Sequence, residues 1–227
     1  MSAYKELETR FKRIAALGEA VGMLHWDMSV LMPPGGADSR TEQLTALKLT
    51  THEMKTDSAL AGLLDEAESA LPDDPWQSAN LREMRRIWIH ANAMEASLVE
   101  AMSRACSACE LIWREARLEN DFVRVLPYLE EVLNLTRQVA AVKSDALICS
   151  EYEALLDQYE PAGRTARIDE LFADLAGFLP EFTETALSRQ AERADAVLPD
   201  GPFPTERQRI LGEKLMGTLG FDFDAGR

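Results

Sequence analysis

Long uncharged apolar runs, glycine through the middle of the chain, cysteine in any number and excess positive charge are what this sequence lacks. No apolar stretch is long enough to cross a bilayer, and the opening MSAYKELETRF is charged throughout and carries no cleavage-site pattern, so a membrane span and a secretion signal are not expected. The three cysteines, Cys106, Cys109 and Cys149, are an odd number, which argues for reduced thiols rather than a disulfide framework. Lys and Arg total 24 against 39 Asp and Glu, a formal charge of -15, and a field of that sign repels phosphate backbones and anionic lipid. Nucleic-acid and membrane partners are therefore not expected, and the reading is a cytoplasmic protein. No glycine occurs between Gly62 and Gly163, and the prolines inside that stretch are confined to Pro72, Pro75, Pro127 and Pro161, which favours long helices.

What the sequence does hold is helical periodicity. The chain has 227 residues, 46% of them hydrophobic, enough for a sizeable core. Leu7, Phe11, Ile14, Leu17, Val21 and Leu24 recur every three or four residues and line one face of an opening helix expected to end near His25 to Asp27. Met32-Pro-Pro-Gly-Gly36 cannot continue a helix. Ser39 with Glu42 reads as a capping box opening the second helix, and Asp74-Pro75 with Gln77 marks another start. From there the spacing of Leu81, Met84, Trp88, Ala91, Leu98, Met102, Ala105, Cys109 and Ile112 predicts one helix to about Leu118. It would be on the order of 60 Å long.

A break at Asn120-Asp121 precedes a helix expected from about Pro127 and carrying Leu129, Val132, Leu133, Val139 and Val142. A turn follows at Tyr159 to Gly163 and an amphipathic helix over 168–179. A Pro-rich linker is expected over 198–204, and Thr205 with Gln208 is expected to cap a last helix ending near Gly217 or Gly220. No alternating strand pattern or internal repeat is present. The fold class is all-α with long antiparallel helices, read as one helical region over 1–227 with a candidate sub-boundary at the linker 198–204.

Motifs that could carry chemistry are thin. Cys106-Ser-Ala-Cys109 has zinc or redox spacing, but four ligands are not at hand, so the pair reads as small helix-packing residues. His52-Glu53 opens like the HExxH zinc-peptidase motif, yet Thr56 stands where the second histidine should be, leaving a solvated helix surface. His90, beside Arg86 and Trp88, reads as a partly exposed helix histidine with no visible nucleophile. Pairs such as Glu130-Glu131 or Asp73-Asp74 are too abundant to single out as a catalytic acid pair. His25-Trp26-Asp27 with Met32-Pro33 is different, since a tryptophan, a carboxylate and a rigid turn meet where a helix ends. One reading is a buried Trp with Asp27 fixing the turn; the other is a wall of a substrate cleft.

Trp26-Asp27, Met32-Pro33, Arg40 and Gln43-Leu44 resemble the opening signature of the carboxypeptidase Taq family of zinc metallocarboxypeptidases. Trp113-Arg-Glu-Ala-Arg117 through Asn120-Asp121-Phe122, then Pro127 to Glu130, resembles the family's middle signature, and Tyr152 to Pro161 the next. Gly201-Pro-Phe203-Pro204 with Gln208, and Leu219-Gly220-Phe221-Asp222 running to Gly226-Arg227, extend the likeness along nearly the whole chain in the family's order.

The resemblance implies an all-helical protein of roughly twice this length. It also implies a homodimer that uses zinc to release C-terminal residues from peptide substrates. The family's zinc helix, an HExxH with a later glutamate, comes after the point matched by Arg227, so this chain is expected to be the N-terminal half. No catalytic or metal residue is carried over onto it, it is expected to bind no zinc and to be inactive alone, and self-association is expected. Trp26, Asp27, Met32 and Arg40 carry over only as substrate-groove or scaffold positions. The alternative is a naturally short, non-catalytic helical module that binds peptides or a partner.

Overall fold

The computed structural model describes residues 2–70, 74–193, 197 and 199–226. Asp73 of the acidic pair, Pro72, Leu198 at the start of the expected linker and Arg227 lie outside the described residues. The described residues form helices and no strands: α1 (Ala3–Val30), a single 3-10 turn (Pro34–Gly36), α2 (Ala37–Lys55), α3 (Ala59–Ser69), α4 (Pro75–Asn92), α5 (Ala96–Glu119), α6 (Phe122–Leu147), α7 (Glu151–Leu156), α8 (Thr165–Ala191) and α9 (Thr205–Thr218). The all-α expectation is met. Two compact units emerge, Met1–Ile168 and Asp169–Arg227, so the division falls within α8.

In the first unit, the apolar stripe of α1 does what its spacing requires. Leu7, Ile14 and Met28 are buried, and Phe11, Leu17, Val21 and Leu24 are half-buried. Ala3, Tyr4 and Leu7 meet Leu60, Leu64 and Ala67 of α3 and Leu81 and Met84 of α4 in one core cluster, with Phe11 and Trp88 packed against it. Leu7, Leu60 and Leu64 are fully buried, each contributing about 1.5–3 kcal/mol by removal from water. Charge ties reinforce the rim: Arg85 of α4 reaches Asp65 and Glu68 of α3, and Arg10 of α1 reaches Asp57 ahead of α3.

Several boundaries differ from the sequence expectation, each for a local reason. α1 runs on to Val30 because nothing interrupts its backbone until the prolines, and the Leu31 and Met32 amides both donate to the Asp27 carbonyl. α2 starts at Ala37, after Gly36, so Ser39 and Glu42 are already inside it and form no capping box. The expected single helix from Pro75 to Leu118 is two helices of 18 and 24 residues, parted at Ala93-Met94-Glu95. There the Asn92 side chain takes the Trp88 carbonyl and Glu95 turns extended.

α6 begins at Phe122 because the Asp121 carboxylate accepts the Arg124 amide, which leaves Pro127 inside the helix. Asn120, left-handed at φ 55°, closes α5, and this two-residue link makes α5 and α6 antiparallel neighbours. A second left-handed residue, Ile148, ends α6, a break that no glycine or proline announces. Asp74 caps α4 as expected, accepting the Trp76 amide.

On α5 the buried residues are Ser103, Ser107 and Ala116 rather than the larger apolar set. These small side chains let α5 lie close to α2 and α6, and Thr45 of α2 donates to the Ser103 hydroxyl at 3.3 Å. Cys106 and Cys109 are accordingly not buried; the serine between them is.

The second unit holds most of α8 and all of α9. α8 passes through Pro180 and is longer than the expected 168–179. α9 starts at Thr205 with Pro204 in the capping position and no side-chain cap; Gln208 donates instead to the Phe203 carbonyl at 2.6 Å. Neither helix buries a residue.

Candidate functional site

Two places in the first unit gather polar side chains. The first is the corner that the sequence singled out. Arg40, near the start of α2, reaches back to the end of α1, pairing with the Asp27 carboxylate at 2.6 Å and donating to the Leu24 carbonyl at 2.7 Å. Its remaining nitrogen donates to Gln43 at 3.1 Å. Arg114 of α5 donates to the Met28 carbonyl and to the Ser29 hydroxyl. Arg114 thus satisfies the Met28 carbonyl, which the end of the helix leaves without an amide partner, and both guanidinium groups sit at the negative end of the helix dipole. Met32 folds over the turn so closely that a side chain at Gly36 would meet it at 3.1 Å. Trp26 is 41% exposed beside this corner, not buried.

The second place is a cavity of about 590 Å³ between α1, α2, α4, α5 and α6. Lys48, His52 and Lys55 come from one stripe of α2, spaced by four and three residues; Arg86 and His90 come from α4, and Lys143 from α6. Among the described residues lining it there is no carboxylate. Behind the wall stands Asp157, in the turn after α7. Its Oδ2 lies 2.7 Å from His90 Nε2 and 3.4 Å from Arg86, its Oδ1 accepts the Ala162 amide at 2.7 Å, and its backbone carbonyl accepts Arg86 at 2.8 Å.

The expectation that His90 is a partly exposed helix histidine is corrected: it is 9% exposed and bonded across 67 residues to Asp157. The two meet because α4 packs against α6, which carries α7 and the following turn beside it.

Protonation follows from burial. Burial works to raise the Asp157 pKa, but the hydrogen bond from His90, the Ala162 amide and Arg86 hold it below the usual carboxylate range. Burial pushes His90 down against the pull of Asp157. The carboxylate is then an acceptor only, Nε2 carries the imidazole proton, and Nδ1 is a buried lone pair without a partner. No hydroxyl or thiol is bonded to it, so this is an oriented histidine without a nucleophile.

Lys143, 5% exposed and bonded to Gln158 at 3.0 Å, is pushed down to about 8 by burial, with the neighbouring Lys55 and Arg86 adding to the shift. Burial also lowers Lys48 and Lys55. His52 is half-buried against the cavity while Glu53 faces solvent, so the solvated-surface expectation holds for the glutamate alone.

These groups do not fit a divalent metal. Among the described residues no three His, Cys, Asp or Glu side chains come together in a way that could hold one. His52 and His90 share a wall with four cationic side chains, which repel a cation.

Sequence reasoning missed the cavity although part of its signal was present: Lys48, His52 and Lys55 follow helical spacing on α2 with no acid one turn away on the same face.

Comparison with known proteins places this geometry in context. The family model described as carboxypeptidase Taq (M32) metallopeptidase matches residues 6–227. Thermostable carboxypeptidase 1 of Thermus thermophilus is 32% identical across the whole of this chain and 46% of its own length. Carboxypeptidase 1 of Bacillus subtilis is 28% identical over 98% of this chain and 44% of its own. Among solved structures, Trypanosoma cruzi metallocarboxypeptidase 1 superposes with a TM-score of 0.77 at 34% identity, over 99% of this chain and 45% of that one. The M32 carboxypeptidase of Deinococcus radiodurans gives 0.71 at 27% identity, over 98% and 44%. The chain spans slightly under half the length of the curated relatives it matches.

Proposed function

Because the chain belongs to the carboxypeptidase Taq (M32) family of metallopeptidases, we propose that it is the helical, metal-free half of a metallocarboxypeptidase that releases C-terminal residues from peptides. The observation that carries this reading is the match over residues 6–227, which uses nearly all of this chain and less than half of each relative. The metal, taken to be zinc, and the groups that activate water belong to a segment beyond these residues. The absence of any three-ligand cluster among the described residues supports that assignment, and no catalytic step is routed through this chain.

The role of these residues is architectural. Trp26, Asp27, Met32 and Arg40 form a braced corner that presents an exposed indole as part of one wall of the peptide groove. No described helix is long and apolar enough to cross a membrane. The whole protein is proposed to be a cytoplasmic enzyme that works as a homodimer on peptides.

Leu171, Phe172, Leu175, Phe178, Leu179 and Phe182 follow helical spacing along α8, and all are exposed. An apolar stripe of that size is covered by other polypeptide in a complete protein. The isolated chain is therefore expected to bind a hydrophobic dye and to associate in solution, as light scattering would show. A monodisperse monomer that binds no dye would overturn the reading of this chain as half of a larger fold.

A further inference from the structure

The cationic cavity of the first unit is not explained by the architectural role. Four charged side chains, Lys48, Lys55, Arg86 and Lys143, converge on it in a chain whose net charge is -15. Arg86 is neutralised by Asp157 and Glu83. Lys143 is hydrogen-bonded to the neutral Gln158 amide and feels Asp157 without pairing with it, and Lys48 and Lys55 make no ion pair or hydrogen bond among the described residues. Exposed lysines on an acidic protein find carboxylates easily, as Lys5 does with Glu8. Here three lysines are held in a half-buried space where none forms an ion pair: Glu110 and Asp157 attract Lys48 and Lys143 without pairing with them, and Lys55 repels Lys143, an arrangement that costs stability in the empty state.

Apolar side chains share the wall with these cations and with a few neutral polar groups: Val21, Ile87, Val99 and Met102 face the same space. A volume of about 590 Å³ falls in the range that encloses a small organic molecule rather than a bare ion. His90 is fixed by Asp157 and adds a rigid, uncharged edge.

We propose that this cavity is a binding site for a small organic anion, with a carboxylate or phosphate head set among Lys48, Lys55 and Lys143 and an apolar body lying against Val21, Ile87, Val99 and Met102. The proposal does not depend on the family reading, since every residue it uses lies in the first unit of this chain.

The test is isothermal titration of the purified chain with phenylacetate and with phenyl phosphate, using phenylacetamide as the neutral isostere. Both anions should bind at least tenfold more tightly than the amide, and phenyl phosphate more tightly than phenylacetate. The double variant Lys48→Met/Lys55→Met should lose at least tenfold in affinity for either anion. Methionine keeps the length of the stem and removes an unpaired cation, so this variant should unfold at no lower urea concentration than the wild type, which separates lost binding from lost folding. Lys12→Met, on the exposed side of α1, is the control and should bind as the wild type does. Equal binding of amide and anions, no binding of the anions at millimolar concentration, or undiminished binding by the double variant would each overturn the proposal.

Discussion

Replacing Asp157 with alanine is the perturbation that should hurt the first unit most for its size. The carboxylate receives His90 Nε2 at 2.7 Å and the Ala162 amide at 2.7 Å, and it neutralises Arg86 at 3.4 Å. With it gone, His90 is a buried ring with neither nitrogen partnered, since Nδ1 already has none. Ala162, held at φ 61°, loses the bond that fixes its unfavourable backbone. Each unpaired buried group costs about 1–3 kcal/mol, and breaking a buried charge pair costs about 3–5 kcal/mol in all. Arg86 keeps Glu83 and the Asp157 backbone carbonyl, so the lower part of that range applies, about 3 kcal/mol.

Urea unfolding followed by tryptophan fluorescence is the appropriate assay, because all four tryptophans, Trp26, Trp76, Trp88 and Trp113, lie in the first unit. Asp157→Asn retains an oxygen for one donor and should lose less than the alanine variant. The acid limb provides a second reading. His90 is depressed below its ordinary value, so the unfolded chain takes up its proton first and wild-type stability falls as pH drops through about 6.5. A loss below about 1 kcal/mol for Asp157→Ala would refute the claim that this network is buried and load-carrying.

Other positions respond in the opposite direction or report on other contacts. Lys143 is depressed by burial from 10.5 to about 8, so the unfolded chain binds the proton more tightly; wild-type stability should rise as pH goes from 8 to 10.5 and level off above. Lys143→Met should stabilise the protein at pH 7 by on the order of 2–3 kcal/mol and flatten that rise, both measurable by urea unfolding across pH. Ile148 is left-handed at φ 53° and 92% exposed, a β-branched residue in a conformation it disfavours for no packing return, so Ile148→Gly should raise stability by about 1 kcal/mol in the same assay. Arg40→Ala removes the tie to Asp27 and to the Leu24 carbonyl and should cost about 2–3 kcal/mol, with Arg40→Lys recovering little because lysine lacks the planar fork.

The helical class and the face of α1 were legible because they rest on periodicity, a property of neighbours in sequence. The stripe from Leu7 to Leu24 is buried or half-buried along its length. The break at Ala93 to Glu95 was not legible, because apolar spacing carries on across it from Ala91 to Leu98 and no glycine or proline marks it. The same holds at Ile148, where the chain adopts a left-handed turn with a residue type that gives no hint of one. At the α1 corner the sequence brought out Trp26, Asp27, Met32 and Arg40 together, and the structure joins Asp27 to Arg40 directly. It did not bring out Asp157, whose partner His90 is 67 residues away and meets it only through tertiary packing. Nor did it bring out the cavity, since Lys143 of α6 comes within reach of Lys55 of α2 only once both helices pack against α4 and α5.

The claim that these residues supply architecture while the metal and its chemistry lie elsewhere is tested most directly by measuring bound metal in the purified 227-residue chain after incubation with zinc, alongside release of C-terminal residues from peptides. The account predicts far less than one bound metal per chain and no release; one tightly held zinc per chain together with carboxypeptidase activity would contradict it.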